Sequence, residues 1–89
     1  MFNYTDAILD NIDKLVGTLK GEDELVLVMK RKFTKKELKV FIAMEQKIEI
    51  SEIAKEIHTD ENRVKEIYKA ATKKLNQEKI KKELIRSKH

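Results

Sequence analysis

The sequence predicts a small all-α protein, a single domain of about five helices. Three observations lead there. Apolar residues recur at three- and four-residue spacing along most of the chain. There is no proline, and Gly17 and Gly21 are the only glycines, too few turn formers for an all-β fold. Apolar and charged residues each make up 40% of 89 residues, which suits amphipathic helices around one modest core.

The first segment reads as a helix from about Tyr4 to Lys20. Ile8, Ile12, Leu15 and Leu19 form its stripe, with Leu9 and Val16 widening it. Asn3 or Thr5 can cap it, Asp6 and Asp10 lie near the positive end of its dipole, and Gly21 is a plausible stop. From Glu22 to Lys32 acids precede the apolar run Leu25 to Met29 and bases follow it, an order that favours a short helix. The next helix, Thr34 to Gln46, opens with a capping box of Thr34 and Glu37, and Phe33 and Leu38 are placed as a hydrophobic staple. Its buried stripe is read as Leu38, Phe41 and Ile42, with Val40 and Met44 at the margins. Ile50 to Ile57 is a helix of about two turns, with Ile50, Ile53, Ala54 and Ile57 on one face. His58, Thr59 and Asp60 then make a turn. Asp60 caps a longer helix carrying Val64, Ile67, Tyr68, Ala71 and Leu75 on one side. Beyond Leu75 the stripe slips. Ile80 and Leu84 point almost opposite to it, so either the helix breaks near Asn76 or a continuous helix turns a second apolar face outward.

Composition excludes several chemistries. Without cysteine there is no disulfide and no thiol–metal site. No apolar run approaches a membrane span, and the start, MFNYTD, lacks a basic leader, so a cytoplasmic protein is expected. His58 reads as a turn residue and His89 as a frayed end rather than as metal ligands. The carboxylates sit at helical spacing from lysines, and there is no phosphate loop or nucleophile motif. Neither an enzyme nor a cofactor is expected. Charge is uneven along the chain. Residues 1–29 carry two lysines against six acids, net −4, whereas residues 30–59 are +3 and residues 60–89 are +5. An acidic first third followed by a basic remainder is compatible with a polyanionic partner and also with solvated helix faces.

A short helix, a tight turn and a longer basic helix make a helix-turn-helix. Ala54 is small enough for a close helix crossing, and His58 occupies the turn position where backbone with positive φ is common. Ile57 and Val64 can anchor the turn. The stretch Phe33-Thr34-Lys35-Lys36-Glu37, then Glu52-Ile53-Ala54, then Thr59 to Ile67 (TDENRVKEI), then Lys73-Lys74-Leu75 resembles region 4 of bacterial sigma-70-family sigma factors, ungapped over about residues 33–75. Response-regulator output domains share much of the pattern.

In that family the second helix enters the major groove of the promoter −35 element. By position the resemblance assigns base reading to Glu61, Asn62, Lys65 and Glu66. Asn can pair bidentately with adenine, Lys can donate to guanine and Glu can accept from cytosine. Arg63, Lys69, Lys73 and Lys74 suit phosphates, as do Lys35 and Lys36 at the start of their helix. Three positions depart from the family. Glu61 stands where a base is usual, Glu66 where glutamine is common, and Glu49 where a small hydroxyl residue precedes the short helix. The acids Asp60, Glu61 and Glu66 repel phosphate, so the housekeeping promoter is not the expected target. About 30 residues precede the resemblance, so the expectation is a stand-alone region-4-like regulator rather than a complete sigma factor. The favoured expectation is transcription regulation through double-stranded DNA. The alternative is a protein-interaction module that docks on RNA polymerase. Either accommodates a homodimer through the N-terminal or C-terminal helix.

Overall fold

A computed structural model describes residues 2–15 and 17–86. Val16, expected to widen the first stripe, and the terminal His89 lie outside the described residues, as do Met1, Ser87 and Lys88. The described chain is all-helical: α1 (Tyr4–Asn11), α2 (Glu22–Lys32), α3 (Lys35–Glu45), α4 (Ile50–Glu56), α5 (Glu61–Leu75) and α6 (Glu78–Leu84). No helix among these residues is long and apolar enough to cross a membrane.

Two apolar clusters share the interior. One is made by Val40, Ala43, Ile53, Ala54, Val64 and Ile67, where α3, α4 and α5 meet. The other joins Tyr4, Ala7 and Ile8 of α1 to Leu25, Val28 and Met29 of α2, Phe41, Leu75, and Ile80 and Leu84 of α6. α3 is wedged between them. That corrects the reading of its stripe: Val40 is fully buried rather than marginal, while Leu38 and Ile42 are only partly buried. Tyr68 packs against both clusters, its ring stacked on Phe41 at 6.3 Å between centroids. Its hydroxyl donates to the Glu45 carboxylate at 2.9 Å, with the Asn11 Oδ1 a second acceptor at 3.2 Å. Burial and the neighbouring Glu45 and Asp10 carboxylates push its pKa up to about 12.

The first helix is much shorter than its periodicity suggests. It ends at Asn11 instead of Lys20, and Leu9, expected on the stripe, is 48% exposed. The cause lies far along the chain. The Asn76 amide donates to the Asn11 carbonyl at 3.0 Å and to the Thr72 carbonyl at 2.9 Å, while its oxygen accepts from the Asp13 N–H at 2.6 Å. One side chain thereby satisfies carbonyls at the ends of both α1 and α5. The backbone then turns through Lys14 (φ 41°) and Gly17 (φ 104°). Leu19 ends in an antiparallel bridge with Ile85, closed by Lys20 N–H to the Leu84 carbonyl and Arg86 N–H to the Thr18 carbonyl. Gly21 serves as the cap residue opening α2 rather than as a stop.

The same break at Asn76 resolves the slipped stripe. α6 starts afresh at Glu78, and Ile80 and Leu84 face inward at 6% and 0% exposure. They are core, covered within the chain by α1 and α2. Glu83 adds ion pairs to Arg31 and Lys32 at the end of α2, both at 2.8 Å. At the other end of α2, Glu22 caps α1 by accepting from the N–H groups of Tyr4 and Thr5 and from the Thr5 hydroxyl. Burial works against the charged form of Glu22, but those three donors outweigh it and hold the carboxyl below its ordinary range.

Asp60 and the Thr34–Glu37 capping box form as read, and Asn3 is the side chain that caps the start of α1, accepting from the Asp6 N–H. The turns on either side of α4 share one geometry. His58 (φ 57°) follows α4, with Thr59 N–H bonded to the Ala54 carbonyl at 2.8 Å, and Lys47 (φ 64°) follows α3, with Ile48 N–H bonded to the Ala43 carbonyl at 3.1 Å. Both are Schellman closures with a side chain where glycine would be relaxed. Exchanging His58 for glycine removes the Cβ strain but adds freedom to the unfolded chain. We expect His58→Gly to gain about 0.5–1 kcal/mol and to raise the thermal midpoint by about 2–8 °C, followed by circular dichroism. A lower midpoint would show that the added freedom of the unfolded chain outweighs the strain relieved at this turn.

Candidate nucleic-acid interface

α5 is a helix of 15 residues that buries Val64, Ile67, Ala71 and Leu75 and exposes the opposite side. At about 100° per residue, Asn62, Glu66, Lys69 and Lys73 fall within about 60° of one another on that outer side. All four are exposed. They make one ridge, polar at the start of the helix and basic toward its end. Lys65 borders the ridge on one flank and Arg63 on the other, both exposed.

The structure gathers some of the candidate residues and separates others. Lys36, at the start of α3, shares a cleft of about 270 Å³ with Arg63 and Glu66, floored by Ile67 and Ala70. Arg63 Nη1 is 3.2 Å from Glu66 Oε1, so this pair fixes both side chains along the ridge. Lys65 stands on the other flank, and Lys69 and Lys73, on the ridge itself, border a shallow depression of about 620 Å³ lined also by Asp13, Thr72, Asn76 and Gln77. Neither Lys69 nor Lys73 makes an ion pair among the described residues. Cations therefore stand on both sides of the ridge, with the α3 start beside one flank.

Three candidates sit differently. Lys74 is half-buried, with its ammonium 3.1 Å from Glu37 Oε1 and 5.2 Å from the centre of the Phe33 ring. Burial opposes ionisation of Glu37, but the Thr34 N–H and the Lys74 ammonium outweigh it and keep the carboxyl below its usual range. Lys74 thus joins α5 to α3 internally. Lys35 is exposed but looks away from α5, beside an apolar groove of about 440 Å³ formed with Tyr4, Lys30, Phe33, Leu38 and Ile42. Glu61 turns off the ridge and lines a groove with Glu45, Glu49 and Ile50 under the α3–α4 turn.

Chemically, the ridge offers an amide that can pair two ways with a planar base edge, a carboxylate acceptor and a run of ammonium donors. The sequence offered Asn76 as one of two outcomes, a helix break, but not as the residue that ties the end of α5, and hence Lys73, to α1. An asparagine just past a helical stripe is a recognised helix-end signal, but its partners Asn11 and Asp13 are more than 60 residues away.

No match was found to any family model, curated protein or solved structure. The geometry of the ridge and its flanking cations is therefore what functional argument rests on.

Proposed function

We propose that this protein is a DNA-binding transcription regulator, with α5 lying in the major groove of a duplex. The observation that carries it is the ridge Asn62, Glu66, Lys69 and Lys73 with cations on both flanks. A helix in a major groove has one phosphate strand on each side, and a two-sided set of bases matches that. Asn62 and Glu66 stand in the first half of the helix, the part that reaches base edges in helix-turn-helix proteins. The likeness of residues 33–75 to sigma factor region 4 supports the same placement.

On this reading Asn62, Lys65 and Glu66 read bases. Lys36, Arg63, Lys69 and Lys73 take phosphates, and Glu61 and Lys74 have structural or peripheral roles. Selection of duplexes from a random pool at about physiological salt, followed by sequencing, tests it. An enriched motif is expected, with a cytosine that Glu66→Gln no longer selects. If nothing is enriched even at low salt, sequence-specific recognition by this face is wrong.

A second reading, docking on another transcription protein such as RNA polymerase, is favoured by the groove of Tyr4, Phe33, Leu38 and Ile42. Its apolar floor between Lys30 and Lys35 fits a partner that offers apolar side chains beside carboxylates.

A further inference from the structure

α2 carries the most exposed large apolar side chain among the described residues, Leu27, at 65%. Around it the outer face of the helix is Asp23, Glu24, Lys30 and Arg31, all exposed. The helix dipole accounts for acids in the first turn and bases in the last. It does not account for a bare leucine midway between them. The spacing is symmetric: Glu24 and Lys30 lie three residues either side of Leu27, and Asp23 and Arg31 lie four.

Residues at these separations share one helix face. Run a second copy of the same helix antiparallel across it, with a two-fold axis at Leu27. Leu27 then meets Leu27, Glu24 meets Arg31 of the other copy on one side, and Asp23 meets Lys30 of the other copy on the other, each pair twice. A two-fold interface has to be self-complementary in this way.

We propose that the outer face of α2 is a homodimer surface, with Leu27 on the two-fold axis and two sets of crossed acid–base pairs around it. Charge complementarity selects a second copy of this chain over an unrelated partner, because every charge on the face finds its opposite on the same face inverted. Arg31 already meets Glu83 within its own chain, and its side chain remains 60% exposed, so it can take a second carboxylate. A helix of 11 residues is about 16 Å long, so the contact is small and the dimer is weak and concentration-dependent. This surface is independent of the α5 ridge, and the dimer stands or falls apart from DNA binding.

Sedimentation equilibrium of the whole chain, from micromolar to millimolar concentration and at low and high salt, tests the surface. Wild type is expected to dimerise reversibly, less at high salt. Leu27→Glu, which puts two carboxylates face to face on the axis, is expected to weaken the dimer at least about tenfold. Asp23→Lys and Lys30→Glu each place like charges opposite one another and are expected to be monomeric alone. Mixed together they restore both pairs, and a heterodimer is expected. Circular dichroism checks that each variant folds. A wild type that stays monomeric at millimolar concentration overturns the proposal. So does a dimer that Leu27→Glu leaves intact, or a mixture of the two charge variants that does not associate.

Discussion

Reversing Lys69 and Lys73 together to glutamate is expected to lower DNA affinity on the order of a hundredfold or more at about physiological salt. Both ammonium groups stand on the outer ridge of α5 without an ion partner among the described residues, so their charge is free to displace counterions. Each phosphate contact contributes about 0.9 to the slope of log affinity against log salt. Losing two should flatten that slope by about 2. The decisive readout is the slope, measured by fluorescence anisotropy on a labelled duplex between about 50 and 200 mM salt. An unchanged slope would mean that α5 does not lie along the phosphates as proposed. Lys74→Glu is a useful contrast. It breaks the pair with Glu37 and the contact with Phe33, so it should lower stability more than it changes the slope.

The second large effect concerns the core. Leu84→Glu is expected to unfold the protein at room temperature, whereas Leu27→Glu is expected to leave its helicity intact. Leu84 is fully buried among residues of α1 and α2, and a carboxylate there has no partner. Burying a charge without one costs several kcal/mol, on top of the roughly 2–5 kcal/mol for removing the leucine. A domain of this size is stabilised by only about 4–13 kcal/mol in total. Far-ultraviolet circular dichroism and urea titration compare the two variants. A cooperative, wild-type-like transition in Leu84→Glu would mean that α6 does not complete the core.

Legibility in the sequence followed the range of the interactions. α5 has the bounds that Asp60 and the stripe ending at Leu75 predict, and the turn at His58 adopts the positive φ that its position suggests. The Thr34–Glu37 box is a contact across three residues, and both of its bonds are present. What was not legible depends on distant partners. Ile12, Leu15 and Leu19 keep helical spacing, yet Asn76 takes the carbonyl of Asn11 and the N–H of Asp13, and Leu19 pairs with Ile85. The status of Val40 depended on α3 being enclosed from two sides, which its own periodicity cannot report. At the candidate site, the residue types were readable, but their neighbours were not. Nothing local to Lys74 shows that Glu37 will hold it.

The joining of α1 and α2 to α6 has a consequence in time. Residues 33–75 close a three-helix unit through contacts near in sequence, a kind of topology that forms quickly. Tyr4, Ala7 and Ile8, by contrast, share a cluster with Ile80 and Leu84, and the loop that brings them together spans more than 70 residues. During synthesis α1 therefore waits for α6. Until α6 emerges, the inner faces of α1 and α2 lack their cover, and the helix-turn-helix is complete before the elements that brace it.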